Sequence, residues 1–161
     1  AFDSVKDWLL ILEQFYYLFR LKPFTRSIAN SLKKEAKAYL YDWVEVQNEA
    51  FRFENLAALH LYKAVSLWRA LGQADTELFY IRDKQKREAD FLLTEKGKPV
   101  IIIECKQADE ELSDNLLMFQ KKTGAPLAVQ LVHKPGVSRK MTYNQQTQWV
   151  ISAERFLELL P

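Results

Sequence analysis

The run Pro99–Cys105, centred on Val100-Ile101-Ile102-Ile103, constrains the fold more than any other stretch of this chain. Four consecutive aliphatic residues leave no polar face, so the segment is expected to be a central strand covered on both sides. A strand covered twice needs helices above and below it, which points to a layered α/β domain with a mixed sheet.

The flanking sequence supplies the remaining layers. Leu78–Arg82 and Ala89–Thr94 read as strands, separated by the charged turn Asp83–Arg87. Glu95-Lys96-Gly97-Lys98 reads as a tight turn into the apolar strand, with Gly97 supplying unusual backbone angles. A long helix is expected from about Asn48 to Leu71, stopping at Gly72. Its apolar positions include Ala50, Phe51, Ala57, Ala58, Leu61, Val65 and Trp68. After the apolar strand come a helix over Asp114–Lys122, capped by Ser113 and stopped at Gly124, and a strand over Leu127–Val132. A loop over His133–Lys140, a short strand Trp149–Ile151 and a helix Ala153–Leu160 capped by Ser152 complete the chain. From Asn48 the order is α-β-β-β-α-β, then β-α. The division expected is 1–47 as an N-terminal helix and linker, and 48–161 as the main domain. Within 1–47, Val5, Trp8, Leu9, Leu12, Phe15, Tyr16 and Phe19 form one helical stripe, and Leu18–Lys22 and Ala38–Tyr41 read as short strands around the polar stretch Thr25–Glu35.

Chemistry is concentrated at the end of the apolar strand, in Glu104-Cys105-Lys106. Glu104 and Lys106 are two apart and share a face, whereas Cys105 points the other way and reads as a small core residue. The Gly97 turn pairs the two strands antiparallel and brings Asp90 towards Glu104. Carboxylates at a buried strand end are costly without partners, and a divalent cation is the usual one. Glu54 lies inside the apolar stripe of the long helix, read either as a buried ion pair or as a third carboxylate of this cluster. Glu-x-Lys alone arises easily by chance, and Glu35-Ala36-Lys37 is a second copy. It sits in a lysine-rich polar segment with no apolar strand before it, and is expected to be solvated surface. Arg82, Lys84, Lys86 and Arg87 form a basic turn beside Asp90 that is a candidate for phosphate contacts. Lys134, Arg139 and Lys140 form a second basic loop. His60 and His133 have no metal-ligand spacing to each other or to Cys105.

Glu54 in Phe53-Glu54-Asn55-Leu56, Asp90 in Arg87-Glu88-Ala89-Asp90-Phe91, and Glu104-Cys105-Lys106 together resemble the PD-(D/E)XK nuclease superfamily. More closely, the chain resembles the nuclease-like domain of unknown function that ends many prokaryotic AAA+ ATPases. Trp8–Pro23 and Lys37-Ala38-Tyr39-Leu40-Tyr41-Asp42 resemble the segment joining the ATPase and winged helix to that domain. The resemblance implies a restriction-endonuclease-like αβββαβ core with an N-terminal winged-helix remnant. It implies Asp90 and Glu104 as ligands of Mg²⁺ or Mn²⁺, Lys106 as the catalytic lysine and Glu54 as the helix carboxylate. It implies DNA as substrate and an upstream ATPase in the same polypeptide. Ala89 departs from the pattern, standing where the superfamily name has Pro. No Walker-type phosphate loop occurs, so any ATP site lies outside this sequence. The runner-up is a catalytically silent module of the same fold that binds DNA or protein.

Composition narrows the field further. With 48% hydrophobic and 27% charged residues, the chain has ample material for a core. A net charge of +2 argues against dedicated sequence-independent DNA binding. The longest apolar region, Trp8–Phe19, is broken by Glu13-Gln14 and too short for a membrane span. One cysteine permits no internal disulfide, so the cytoplasm is the expected compartment. The start at Ala1-Phe2-Asp3, with neither Met nor signal peptide, is expected of a piece of a longer polypeptide. Self-association is left open.

Overall fold

The computed structural model describes residues 2–25 and 35–161. The polar stretch 26–34 lies outside them. The elements are α1 (Phe2–Gln14), β1 (Leu18–Leu21), β2 (Lys37–Leu40), a 3₁₀ turn (Trp43–Glu45), α2 (Glu49–Ala70), β3 (Thr76–Arg82), β4 (Glu88–Glu95), β5 (Lys98–Lys106), α3 (Asp114–Thr123), β6 (Leu127–Val132), β7 (Ser138–Tyr143), β8 (Gln146–Ser152) and α4 (Ala153–Leu157). The α-β-β-β-α-β order read from the sequence is present in α2 through β6.

The main sheet has the strand order β3-β4-β5-β6-β8-β7. β3, β4 and β5 form an antiparallel meander, β6 lies parallel to β5, β8 lies parallel to β6, and β7 closes the edge antiparallel to β8. β5, with its aliphatic run Val100–Ile103, therefore lies inside the sheet. Ile101 and Ile103 belong to the α2 side and Ile102 to the α3 side. On the α2 side, Phe53, Ala57, Ala58, Leu61 and Val65 of α2 and Phe156 of α4 pack with Phe91, Leu93, Ile103, Val129 and Leu131. On the other side, Leu116 and Phe119 of α3 pack with Leu92, Ile102 and Ala128. The architecture is a mixed α/β sandwich of three layers.

Several expectations need correcting. Ala50 and Phe51 were expected on the buried stripe of α2, yet both are exposed. The buried face runs instead through Phe53, Asn55, Ala57, Ala58, Leu61, Ala64 and Val65. Asn48 caps this helix by accepting from the Phe51 amide (3.1 Å), and Leu71 with Gly72 at φ 66° ends it. The span His133–Lys140 was expected to be a loop, but β7 begins at Ser138 and pairs with β8, which is longer than Trp149–Ile151. Every residue of β7 is exposed, so it shows no apolar alternation to read. Asn144 and Gln145, both at positive φ, make the tight turn. Ser113 and Ser152 occupy N-cap positions without capping through their side chains. The Ser152 hydroxyl donates to Lys134 O (2.8 Å) and accepts from the Val137 amide (2.7 Å). The last helix ends at Leu157 rather than Leu160.

The N-terminal segment is built into this body. β1 and β2 pair antiparallel, Leu18 with Leu40 through Leu21 with Lys37. Phe19, Leu21 and Tyr39 are buried in the α2-side core, and Phe19 stacks on Tyr39 and Tyr62. Asn55 of α2 fastens β2 with one side chain: it accepts from the Leu40 amide (2.8 Å) and donates to the Leu40 carbonyl (2.7 Å). Beyond β1 the chain joins the sheet edge, with Tyr80 N donating to Lys22 O and Phe24 N to Tyr80 O. The helical stripe expected through Phe19 is cut short, since α1 ends at Gln14 and Phe19 enters β1; within α1, Leu9 and Leu12 are half-buried, whereas Val5 and Trp8 are 51% and 65% exposed. No helix among the described residues is long and apolar enough to cross a membrane.

Candidate functional site

Asp90 is placed by a break in the sheet. Between Leu92 and Ala89, β4 carries one residue more than β3, so Asp90 and Phe91 together face Tyr80. Such a bulge re-aims a side chain and ends regular pairing. The β4–β5 ladder stops at Phe91 with Ile103, and the Asp90 carboxylate takes over the next β5 donor, accepting from the Cys105 amide through Oδ2 (2.8 Å). Oδ1 is left facing Lys37 at 3.7 Å. Burial and the nearby Glu54 carboxylate push the Asp90 carboxyl up to about 7, against the Cys105 amide and Lys37, with Glu104 adding to the rise.

Glu104 sits one residue past the ladder, beside Gln130 of β6. Its side chain is only 8% exposed. Oε1 accepts from Lys106 Nζ at 2.7 Å, whereas Oε2 is buried with no hydrogen-bond partner among the described residues. Burial opposes the Lys106 charge, but the Glu104 carboxylate outweighs it and holds the ammonium above its ordinary range. A lone carboxylate oxygen removed from water costs free energy unless something partners it.

Glu54 points from α2 towards the same strand ends. Its Oε1 accepts from Lys37 Nζ (3.0 Å) and from the Tyr39 hydroxyl (2.7 Å). Burial and the Glu54 charge push the Tyr39 phenol well up, so it stays protonated and donates. Lys37 also contacts Glu88 Oε1 at 2.5 Å and lies 5.6 Å from the centre of the Tyr80 ring. Burial opposes its charge, yet Glu54, Glu88 and Asp90 together hold the Lys37 ammonium well above the usual lysine range. The reading of Glu35-Ala36-Lys37 as solvated surface therefore fails for its lysine. The polar composition concealed that Lys37 opens a strand whose alternate residues, Tyr39 included, face α2.

Lys37, Tyr39 and Glu88 are the residues that sequence reasoning missed. Glu88 was quoted beside Asp90 without a role, and a signal for Lys37 existed only in its proximity to Tyr39 in an aromatic-rich strand. Gln130, a polar residue inside the apolar run Leu127–Val132, was also legible. It is fully buried and ties down the segment that follows Lys106. Its Nε2 donates to the carbonyls of Asp109 (2.8 Å) and Glu111 (2.7 Å), and its Oε1 accepts from the Ser113 amide (2.9 Å).

The basic turn lies beside the cluster but is partly committed. Arg87 forks onto Asp83 through Nε (2.8 Å) and a terminal nitrogen (2.6 Å), and Arg82 lies 3.5 Å from Glu88. Lys84 and Lys86 stand exposed. In the second basic loop, Lys134 pairs with Glu110 at 2.7 Å, Arg139 donates to the Glu110 carbonyl, and Lys140 lies over Trp149. Cys105 is packed against the α2-side core, and burial pushes its thiol up. A groove of about 370 Å³ lined by Lys37, Tyr39, Phe51, Glu54 and Glu88 opens onto the cluster. A larger groove of about 620 Å³, lined by Tyr41, His60, Tyr62 and Leu67, carries no carboxylate and lies apart from this chemistry.

Two carboxylates meet the demand of Mg²⁺, which binds one or two and keeps several waters. Asp90 Oδ1 and the unpartnered Glu104 Oε2 fit that donor set. Glu54 is held by Lys37 and Tyr39. Among the described residues, no three His, Cys, Asp or Glu side chains gather tightly enough to enclose an ion by themselves.

A family model described as "Domain of unknown function (DUF4143)" matches residues 51–156, well over half of the chain. The chain belongs to the DUF4143 family. The DUF4143 match takes in Glu54, Glu88, Asp90, Glu104 and Lys106 and leaves out β1 and β2, with Lys37 and Tyr39. No curated protein matches the chain.

Proposed function

We propose that this DUF4143 chain is a metal-dependent nuclease domain that hydrolyses phosphodiester bonds in DNA. The observation that carries the reading is the meeting of Asp90, Glu104 and Lys106 at one end of β4 and β5, with a buried Glu104 oxygen that no group among the described residues partners. Mg²⁺ or Mn²⁺ on Asp90 and Glu104 would polarise a phosphate oxygen and make a bound water more acidic. The protein groups do the rest. The Cys105 amide fixes the Asp90 carboxylate in one orientation. Lys106, held by Glu104 Oε1 at 2.7 Å, offers positive charge to the phosphate as negative charge builds on it. Gln130 holds the segment after Lys106 and so limits its drift. Lys84 and Lys86 on the neighbouring turn suit contacts to the DNA backbone. The exposed apolar stripe of α1 suits packing against an ATPase domain in the same polypeptide.

The test is nicking of supercoiled DNA with Mn²⁺. Wild-type protein is expected to nick, and Asp90→Ala or added chelator to abolish it. Cleavage that survives Asp90→Ala refutes the assignment. One observation favours the second reading, a silent module of the same shape: Lys37 already supplies a cation to Glu54, Glu88 and Asp90. Wild-type protein that neither binds Mn²⁺ nor nicks DNA would establish that reading instead.

A further inference from the structure

We propose that Lys37 is a built-in counter-ion of the carboxylate cluster, and that a divalent cation entering at Asp90 and Glu104 must displace it. The inference rests on the metal-site reading above and assigns a role to β2, which lies outside the family match.

Three observations carry it. First, the Lys37 ammonium has three donors and no acceptor, and it meets three carboxylates: Glu88 at 2.5 Å, Glu54 at 3.0 Å and Asp90 at 3.7 Å. An ammonium so placed neutralises charge that would otherwise repel. Second, Asp90 has one oxygen committed to the Cys105 amide, so Oδ1 is the oxygen that both Lys37 and an incoming cation require. Third, Glu104 Oε2 on the adjacent strand end is buried with no partner among the described residues, so a second donor stands ready that Lys37 does not use. A cation held between these oxygens would face the ammonium across one carboxylate, and like charges at that range repel strongly in a half-buried site. Lys37 has somewhere to go. Its shortest contact is with Glu88 at 2.5 Å, and the Tyr80 ring centre lies 5.6 Å away. A lysine stem is flexible enough to give up Asp90 and keep Glu88.

Seating Lys37 and binding the cation are thus opposed, and any step that draws β2 outward favours the cation. The experiment is a calorimetric titration of the full chain with MnCl₂, paired with thermal melts with and without Mn²⁺. Lys37→Met is expected to bind Mn²⁺ about tenfold tighter than wild type, to melt lower without metal, and to gain more from Mn²⁺. Lys37→Arg keeps the charge and is expected to bind like wild type. If Lys37→Met alone fails to fold, Lys37→Met/Glu88→Gln removes one charge of each sign and carries the same expectation against Glu88→Gln. Unchanged or weaker binding by Lys37→Met, with wild-type binding intact, overturns the counter-ion role and leaves the metal site standing. Absence of Mn²⁺ binding in every variant at millimolar concentration overturns the metal site and the counter-ion role together.

Discussion

The chain holds two Glu-x-Lys segments, and the fold treats them in opposite ways. Glu104-Cys105-Lys106 ends a strand inside the sheet, and its glutamate and lysine pair with each other at 2.7 Å. Glu35-Ala36-Lys37 enters a short strand of a two-stranded sheet, and its lysine ignores its own glutamate to reach Glu54, Glu88 and Asp90. The two lysines share no carboxylate partner, although the Asp90 charge acts on both. A local motif fixes which side chains share a strand face. It does not fix which charges they will neutralise, because that depends on what α2 and β4 bring across from elsewhere in the chain.

The comparison can be broken most sharply at the lysines themselves. If Lys106 serves the phosphate and Lys37 only balances charge, Lys106→Ala is expected to lower Mn²⁺-dependent nicking by about 10²–10³-fold with Mn²⁺ affinity retained. Lys37→Ala is expected to spare most of the rate at saturating Mn²⁺. Equal losses from the two substitutions would erase the distinction. Rate measurements across a Mn²⁺ series decide it.

The second test detaches one segment and leaves the other. Asn55 is 4% exposed and satisfies both backbone groups of Leu40, so it fastens β2 to α2. Asn55→Ala strands those groups and is expected to cost about 2–4 kcal/mol in denaturant unfolding. It should also speed amide exchange across β2, with β5 amides unaffected. Uniform loosening of both strands would show that β2 and the sheet open as one unit.

The smallest effect comes from a pair that looks similar on paper. Lys134 and Glu110 meet at 2.7 Å, the same distance as Lys106 and Glu104, but the Lys134 side chain is 55% exposed. Lys134 holds the Glu110 carboxyl below its usual range, yet solvent screens the pair. Glu110→Gln is expected to leave both the unfolding midpoint and nicking nearly unaltered. A larger change would mean that the Arg139 contact to the Glu110 carbonyl depends on the side chain as well.

How far the sequence could be read depended on burial. β5 was legible because four aliphatic residues in a row admit few placements, and the Gly97 turn fixed its partner. α2 was legible in extent from Asn48 and Gly72, but its first turn was misassigned, since Phe51 and Phe53 look equally apolar and only packing chose Phe53. β7 was missed because an exposed edge strand carries no alternation. Asp90, Glu104 and Lys106 stood out in the sequence because charge at the end of an apolar run is conspicuous. Lys37 was not, because a lysine among polar residues gives no sign that it will be half-buried.

The sequence by itself determined the order of elements, the central place of β5, and the face shared by Glu104 and Lys106. These follow from local periodicity and from the cost of exposing aliphatic residues. Only the tertiary structure decided that a bulge would aim Asp90 at the Cys105 amide, that Glu104 would keep one oxygen without a partner among the described residues, and that an N-terminal lysine would settle among carboxylates from α2 and β4. Those outcomes rest on distances between residues far apart in the chain. Electrostatic energy depends on such distances and on desolvation, and neither is written in the spacing of residues along a strand.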